Sequence, residues 1–115
     1  FLEYPACSTC RKAKKWLDEQ KVDYTDRHIV EERPTREELK IWFERSGLPL
    51  RKFFNTSGLL YKSMQLREKL DGMSEEEQLE LLASDGKLVK RPLVIGEDFV
   101  LVGFKPEEWE KVLLK

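Results

Sequence analysis

The stretch Phe1-Leu2-Glu3-Tyr4-Pro5-Ala6-Cys7-Ser8-Thr9-Cys10-Arg11-Lys12 constrains the fold more than any other part of the chain. Phe1 to Tyr4 alternate as a short strand does, and Pro5 closes the run. From Ser8 to Gln20 the spacing changes to that of a helix. Cys10, Ala13, Trp16 and Leu17 share one face, with Lys12, Lys15, Asp18 and Glu19 largely away from it. Val22 to Ile29 begins by alternating again. A strand, a helix of about a dozen residues and a second strand predict a βαβ unit with parallel strands.

Both cysteines of the chain, Cys7 and Cys10, lie where the first strand gives way to the helix. Three readings of such a pair are open: half of a metal site, two inert core thiols, or a redox pair. A structural zinc site needs about four ligands, and the one histidine, His28, is distant and strand-borne. Free cysteine is often simply buried. The strand-turn-helix setting favours thiol chemistry. Unpaired N–H groups and the positive end of the helix dipole stabilise a thiolate at Cys7. Arg11 and Lys12 add positive charge. Cys10 then falls on the same helical face, within reach of a mixed disulfide on Cys7.

The remainder reads as a helical middle followed by a return to strands. Thr35 with Glu38 forms a capping box ahead of the Leu39, Trp42 and Phe43 stripe, and Gly47 stops that helix. Residues 49–54 read as a short helix or turn, Asn55-Thr56-Ser57-Gly58 as a loop, and 63–70 as another short helix. Ser74 with Glu77 repeats the capping box before Leu79 and Leu82, with Gly86 ending the helix. Leu93-Val94-Ile95, a turn at 96–98, and residues 99–102 give a hairpin. Pro106 opens a closing helix that carries Trp109, Val112 and Leu113 on one side. The expected order is β-α-β, a helical block over about 34–90, then β-β-α, within a single α/β domain of 115 residues.

Charge excludes some classes. Lys plus Arg number 21 against 22 Asp plus Glu, scattered rather than striped, so direct nucleic-acid binding is not expected. No apolar run is long enough to span a bilayer, and no apolar signal precedes Phe1. A reducing cytoplasm is therefore the expected setting, where a Cys-x-x-Cys pair is seldom a permanent staple.

Y-P-A-C-S-T-C-R-K-A, P-T-R-E-E-L and K-R-P-L-V-I, in that order, resemble the thioredoxin-fold group that contains glutaredoxin-linked arsenate reductases and Spx-type redox regulators. The resemblance runs over essentially the whole chain. It implies a thioredoxin-like core with an inserted helical block, and a cis peptide between Arg91 and Pro92. It also implies an oxyanion held at the helix N-terminus, around Ser8, Thr9 and Arg11, near a nucleophilic Cys7. Of the three arginines such reductases use, Arg91 matches one. Asn55 and Lys105 stand at the other two positions. Lysine keeps the charge but loses the bidentate fork, and asparagine loses the charge, so arsenate is demoted as a substrate. Nearby Arg51 or Arg11 would have to compensate. Cys10 replaces a serine common among the reductases and brings the chain toward the Spx pattern.

Two functions follow as expectations. One is a small thiol-disulfide oxidoreductase with no bound cofactor or metal. Cys7 would attack, Cys10 would resolve, and Arg91 would hold an anionic substrate or glutathione. Glutathione with glutaredoxin, or thioredoxin, would supply electrons. The other is a redox-responsive regulator that binds the C-terminal domain of the RNA polymerase α subunit. For such regulators a glycine matching Gly47 matters in that contact; the plainer reading of Gly47 is a helix cap.

Overall fold

The structure, a computed structural model, describes residues 1–114. Four short strands form one sheet in the order β2-β1-β3-β4, with β1 at Leu2–Glu3, β2 at Arg27–His28, β3 at Leu93–Ile95 and β4 at Val100–Val102. Among the described residues six helices accompany them: α1 (Ser8–Glu19), α2 (Arg36–Ser46), α3 (Leu59–Ser63), α4 (Leu66–Lys69), α5 (Glu75–Ser84) and α6 (Pro106–Leu113). Strand β1 pairs parallel with β2, Leu2 opposite Arg27, and antiparallel with β3, Leu2 opposite Leu93. The β3–β4 hairpin is in the expected register, with Val94 opposite Leu101. This is the expected thioredoxin-like order, with helices between β2 and β3.

Alternation along the strands builds two cores. Phe1, Val94 and Leu101 point to one face and pack with Ala13 and Leu17 of α1 and with Trp109 of α6. Leu2, Leu93 and Val100 point to the other, against Leu39, Phe53, Leu79 and Leu82 from the helical block. Side chains two residues apart share a face of a strand, so the same strands serve both layers. Trp109 is 1 % exposed, and its indole N–H donates to the Gly103 carbonyl at 3.1 Å.

Both capping boxes form as read. The Thr35 hydroxyl accepts from the Glu38 N–H at 3.1 Å, and the Glu38 carboxylate accepts in return from the Thr35 N–H at 3.0 Å. Glu38 also receives both prongs of Arg27 from β2, at 2.8 and 2.9 Å. That bidentate pair joins the sheet edge to the first helix of the block. Gly47 takes the left-handed conformation, φ 68°, at the C-terminal cap of α2, as the plainer reading had it.

Three local expectations are corrected. The second strand covers only Arg27–His28, because Val22 turns its N–H back to the Leu17 carbonyl of α1 at 3.0 Å rather than into a ladder. The helix expected over 63–70 is confined to α4 at Leu66–Lys69, a separate helix α3 ends at Ser63, and Gln65 at φ 55° lies between them. Gly86 does not end α5. That helix stops at Ser84, and Gly86 opens a 3₁₀ turn pressed against the preceding layer. A Cβ placed there would come within 2.0 Å of the Ile29 carbonyl oxygen, which is backbone and cannot swing aside.

Gly86→Ala is therefore expected to lower stability by about 1–3 kcal/mol, the usual cost of overpacking, as read from urea unfolding. A second outcome concerns acid. Hydrogen bonding from Arg27 first of all holds the Glu38 carboxyl down at about 2, against an ordinary 4.5. A depressed folded-state value means stability that is present above the unfolded value and lost as pH falls toward the folded one. The wild type should lose stability between these two values, and Glu38→Gln should be less stable at neutral pH while showing a flatter acid limb.

Candidate active site

Cys7 is the N-cap of α1, with extended backbone dihedrals (φ −85°, ψ 122°). The turn that puts it there is closed by its own N–H, which donates to the Tyr4 carbonyl at 2.9 Å. No side chain caps this helix. Its first N–H groups are therefore left to the Cys7 sulfur, as the strand-turn-helix pattern implied.

The two thiols stand in opposite environments. Cys7 is half-buried and lines a cleft, whereas Cys10 is 1 % exposed beneath it. Burial pushes the Cys7 thiol up, but hydrogen bonds outweigh it. They come from the Cys10 N–H, the Cys10 thiol, the Arg91 guanidinium and the Thr9 N–H, and they bring Cys7 below its ordinary 9.0. For Cys10, burial again raises the value, and the neighbouring Cys7 thiolate adds to it despite a bond from the Tyr4 backbone. The result is about 12. Of the two thiols, Cys7 is therefore the one that ionises first. The thiolate faces solvent and the thiol waits behind it, hydrogen-bonded to the sulfur it would attack.

The cleft in front of Cys7 has a volume of about 790 Å³. Arg51, Lys52, Lys90, Arg91 and Lys105 all line it, and no carboxylate does among the described residues. Its field favours anions. Phe54, Phe104, Leu48 and Pro49 supply an apolar share of the wall. The far wall is secured by a short antiparallel contact, Phe54 opposite Val89. Flanking bonds run from the Asn55 N–H to the Leu88 carbonyl at 2.8 Å and from the Lys90 N–H to the Phe53 carbonyl at 2.7 Å. These sew the Asn55 loop to the segment that leads into Arg91.

Of the residues singled out in the sequence, Cys7, Thr9, Asn55, Arg91 and Lys105 meet in this one cleft. The Arg91–Pro92 bond is cis, as the resemblance implied, and Pro92 is buried where its carbonyl accepts from the Gly103 N–H at 2.9 Å. Ser8 is exposed as the first residue of α1 and is not among the lining side chains. Arg11 also lies outside the cleft. Its guanidinium donates to the Pro5 carbonyl at 3.2 Å and lines a shallow depression on the outer side of α1. Of the two compensating arginines considered, only Arg51 reaches the cleft, and its guanidinium is paired with Asp71, which lies outside the lining, at 2.5 Å. Lys105 keeps a looser partner in Glu108, at 3.9 Å.

Sequence reading left Tyr4 and Lys90 out of the site. Tyr4 reads as an ordinary strand residue, yet the Arg91 guanidinium lies over its ring, 4.9 Å from the centroid. Its two backbone groups also serve the two cysteines. Only the pairing of β1 with β3 brings Tyr4 and Arg91 together. His28 stays at the sheet edge, as expected, with its Nδ1 accepting from the Val30 and Glu31 N–H groups.

The thiolate of reduced protein, followed by its ultraviolet absorbance, should titrate below the ordinary cysteine value. Arg91→Gln should move that midpoint upward, because one of the bonds to the ionised sulfur is lost. An unmoved midpoint would show that Arg91 contributes nothing to the ionisation.

Known proteins resemble this chain in sequence and in fold. The ArsC family model matches residues 2–112. YusI of Bacillus subtilis (strain 168) is 57% identical over 96% of this chain and 94% of its own. The regulatory protein MgsR of the same organism is 33% identical over 100% and 90%. Global transcriptional regulator Spx 2 of Bacillus anthracis is 29% identical over 94% and 81%. Among solved structures, an ArsC family related protein from Bacteroides fragilis superposes with a TM-score of 0.94 at 67% identity, over 96% of this chain and 92% of that one. An arsenate reductase from Vibrio cholerae does so at 0.85 and 26%, over 97% and 94%. Since the match takes in the cysteine turn, the helical block and the hairpin behind Arg91, the chain belongs to the ArsC family.

Proposed function

We propose that this protein is a thiol-disulfide oxidoreductase acting on anionic substrates, with Cys7 as nucleophile and Cys10 as resolving thiol. The observation that carries this reading is the contrast between the pair: a cleft-facing Cys7 whose hydrogen bonds favour the thiolate, above a buried Cys10 that burial keeps protonated. Attack requires a thiolate, and resolution requires a second sulfur within reach.

The Cys7 thiolate attacks one sulfur of a small disulfide RSSR, displaces RS⁻, and becomes Cys7–S–SR. Cys10 then loses its proton and attacks the Cys7 sulfur. The protein disulfide forms, the second RS⁻ departs, and the proton from Cys10 leaves on a product thiol. One substrate disulfide is reduced and two protein thiols are oxidised, a two-electron exchange. A dithiol donor of the glutaredoxin or thioredoxin type, or two glutathione molecules, restores the reduced pair. Arg91 and the α1 N-terminus hold the anion beside the reacting sulfur, while Lys105, Lys90 and Lys52 draw negatively charged substrates into the cleft.

An oxyanion such as arsenate is the less favoured substrate. The cleft offers one arginine beside Cys7, a lysine at 105, and at 55 an amide whose oxygen accepts from Ser57 at 3.2 Å. Arsenate itself is a multiply charged oxyanion, and bidentate forks hold such a group better than point charges.

Wild-type protein should turn over glutathione disulfide with a thioredoxin-type donor more readily than it reduces arsenate with glutathione and glutaredoxin. Cys7→Ser should abolish both activities. Cys10→Ser should trap glutathione on Cys7, visible by mass spectrometry. Absence of turnover with either donor, together with an unmodified Cys7 in the Cys10→Ser protein, would overturn the reading.

A second reading, a redox-responsive regulator that binds the RNA polymerase α subunit, is supported by the regulators MgsR and Spx 2 among the relatives. Gly47 lies at an exposed corner, and a Cβ placed on it would meet nothing within 4 Å. On this reading the purified α C-terminal domain should be retained by the protein. Gly47→Arg should weaken that retention, and oxidation of the cysteine pair should alter it.

A further inference from the structure

Arg91 is held by its face and left without partners at two of its three nitrogens. Its Cζ stands 4.9 Å from the centroid of the Tyr4 ring. Among the described residues no hydrogen-bond partner reaches its Nε or Nη1, although both atoms are buried. A guanidinium stacks through its flat face and donates only in its plane. An aromatic ring beneath it therefore fixes the orientation of that plane without occupying any N–H. A carboxylate in the same place would also hold the arginine, but would consume the donors, and none lines the cleft among the described residues.

Tyr4 is itself held in place. Its carbonyl accepts from the Cys7 N–H at 2.9 Å, so the residue is tied to the cysteine turn. Its ring meets the His28 imidazole edge-on, with centroids 5.8 Å apart and planes at 84°. His28 in turn accepts the Val30 and Glu31 N–H groups on Nδ1 at 3.2 and 3.1 Å, which fixes the imidazole plane. Three flat groups thus stand in series from the sheet edge to the cleft: imidazole, phenol ring and guanidinium.

We propose that Tyr4 is a positioning residue, its ring setting the plane of the Arg91 guanidinium so that Nε and Nη1 stay available to the anion at the mouth of α1. The inference rests on the thiol chemistry proposed for Cys7. It adds a residue that acts through Arg91 rather than on the substrate. Phenylalanine would serve equally, because the face of the ring performs the task and the hydroxyl does not. Leucine would not, since it offers bulk without a π face.

The test uses Tyr4→Phe and Tyr4→Leu, each in the wild-type and Arg91→Gln backgrounds. Two readouts are taken: the thiolate titration of Cys7, and kcat and KM for glutathione disulfide. Tyr4→Phe should match wild type in both. Tyr4→Leu should raise the thiolate midpoint and raise KM about tenfold, between the scales of an exposed and a fully desolvated cation–π contact, with a smaller change in kcat. In the Arg91→Gln background Tyr4→Leu should add nothing further. The proposal is overturned if Tyr4→Leu leaves both readouts unmoved, if it acts as strongly without Arg91, or if Tyr4→Phe is as damaging. Thermal unfolding identifies a variant that fails to fold; Tyr4→Met, similar in length and also lacking a π face, then replaces it with the same expectations. Since the titration needs no substrate, a protein that turns over nothing would count against the proposed activity while leaving the role of Tyr4 decided by the thiolate midpoint alone.

Discussion

Strand β1 is two residues long and sits at the centre of everything the site requires. It pairs parallel with β2 on one side and antiparallel with β3 on the other, with Leu2 opposite both Arg27 and Leu93. The chain leaves β1 through Tyr4 and turns into α1 at Cys7. It enters β3 through Arg91 and a cis peptide at Pro92. Pairing the two strands sets the end of one beside the beginning of the other, so a helix N-terminus and a guanidinium converge on one sulfur. Parallel neighbours alone could not do this, because their ends would face the same way.

That convergence produces an asymmetric pair from two identical residues. Burial acts on both thiols and raises both. What separates them is access to donors. Cys7, at the cap position, collects N–H groups that the helix cannot use, together with the arginine from across the sheet. Cys10, one turn in, gives its own N–H to the Cys7 sulfur and has its side chain packed beneath that first thiol, whose ionisation further discourages its own. The same low-dielectric surroundings that make Cys10 reluctant to ionise strengthen each bond to the Cys7 thiolate.

The helical block contributes to the site by supplying its far wall. The short contact of Phe54 with Val89 joins the loop carrying Asn55 to the residues preceding Arg91. Meanwhile Arg27 and Glu38 fasten the start of the block to the sheet edge. Close backbone approach at Gly86 lets the block lie flat against the segment following β2. The cleft is thus bounded on one side by the core and on the other by the insertion, with cations contributed from both.

Much of this was legible in the sequence because it is local. The two capping boxes, the helix start at the cysteine turn, Pro106 at the first turn of α6 and the hairpin around 96–98 all depend on side chains within a few residues of the backbone they serve. Family likeness added Arg91, Asn55 and Lys105, and the fold gathers them with Cys7 and Thr9. The length of the second strand, the break at Gln65 and the task of Gly86 were not legible, since each is decided by a neighbour distant in the chain or by a backbone conformation that composition does not announce. Tyr4 shows the division most clearly. Its place at the end of a strand follows from alternation and from Pro5, but its service to Arg91 does not. By itself, the sequence determined that a thiol would stand at the mouth of a helix with a second one turn behind. Only the tertiary structure decided what faces that thiol, because a cation and the ring that orients it come from strands that meet solely through sheet pairing.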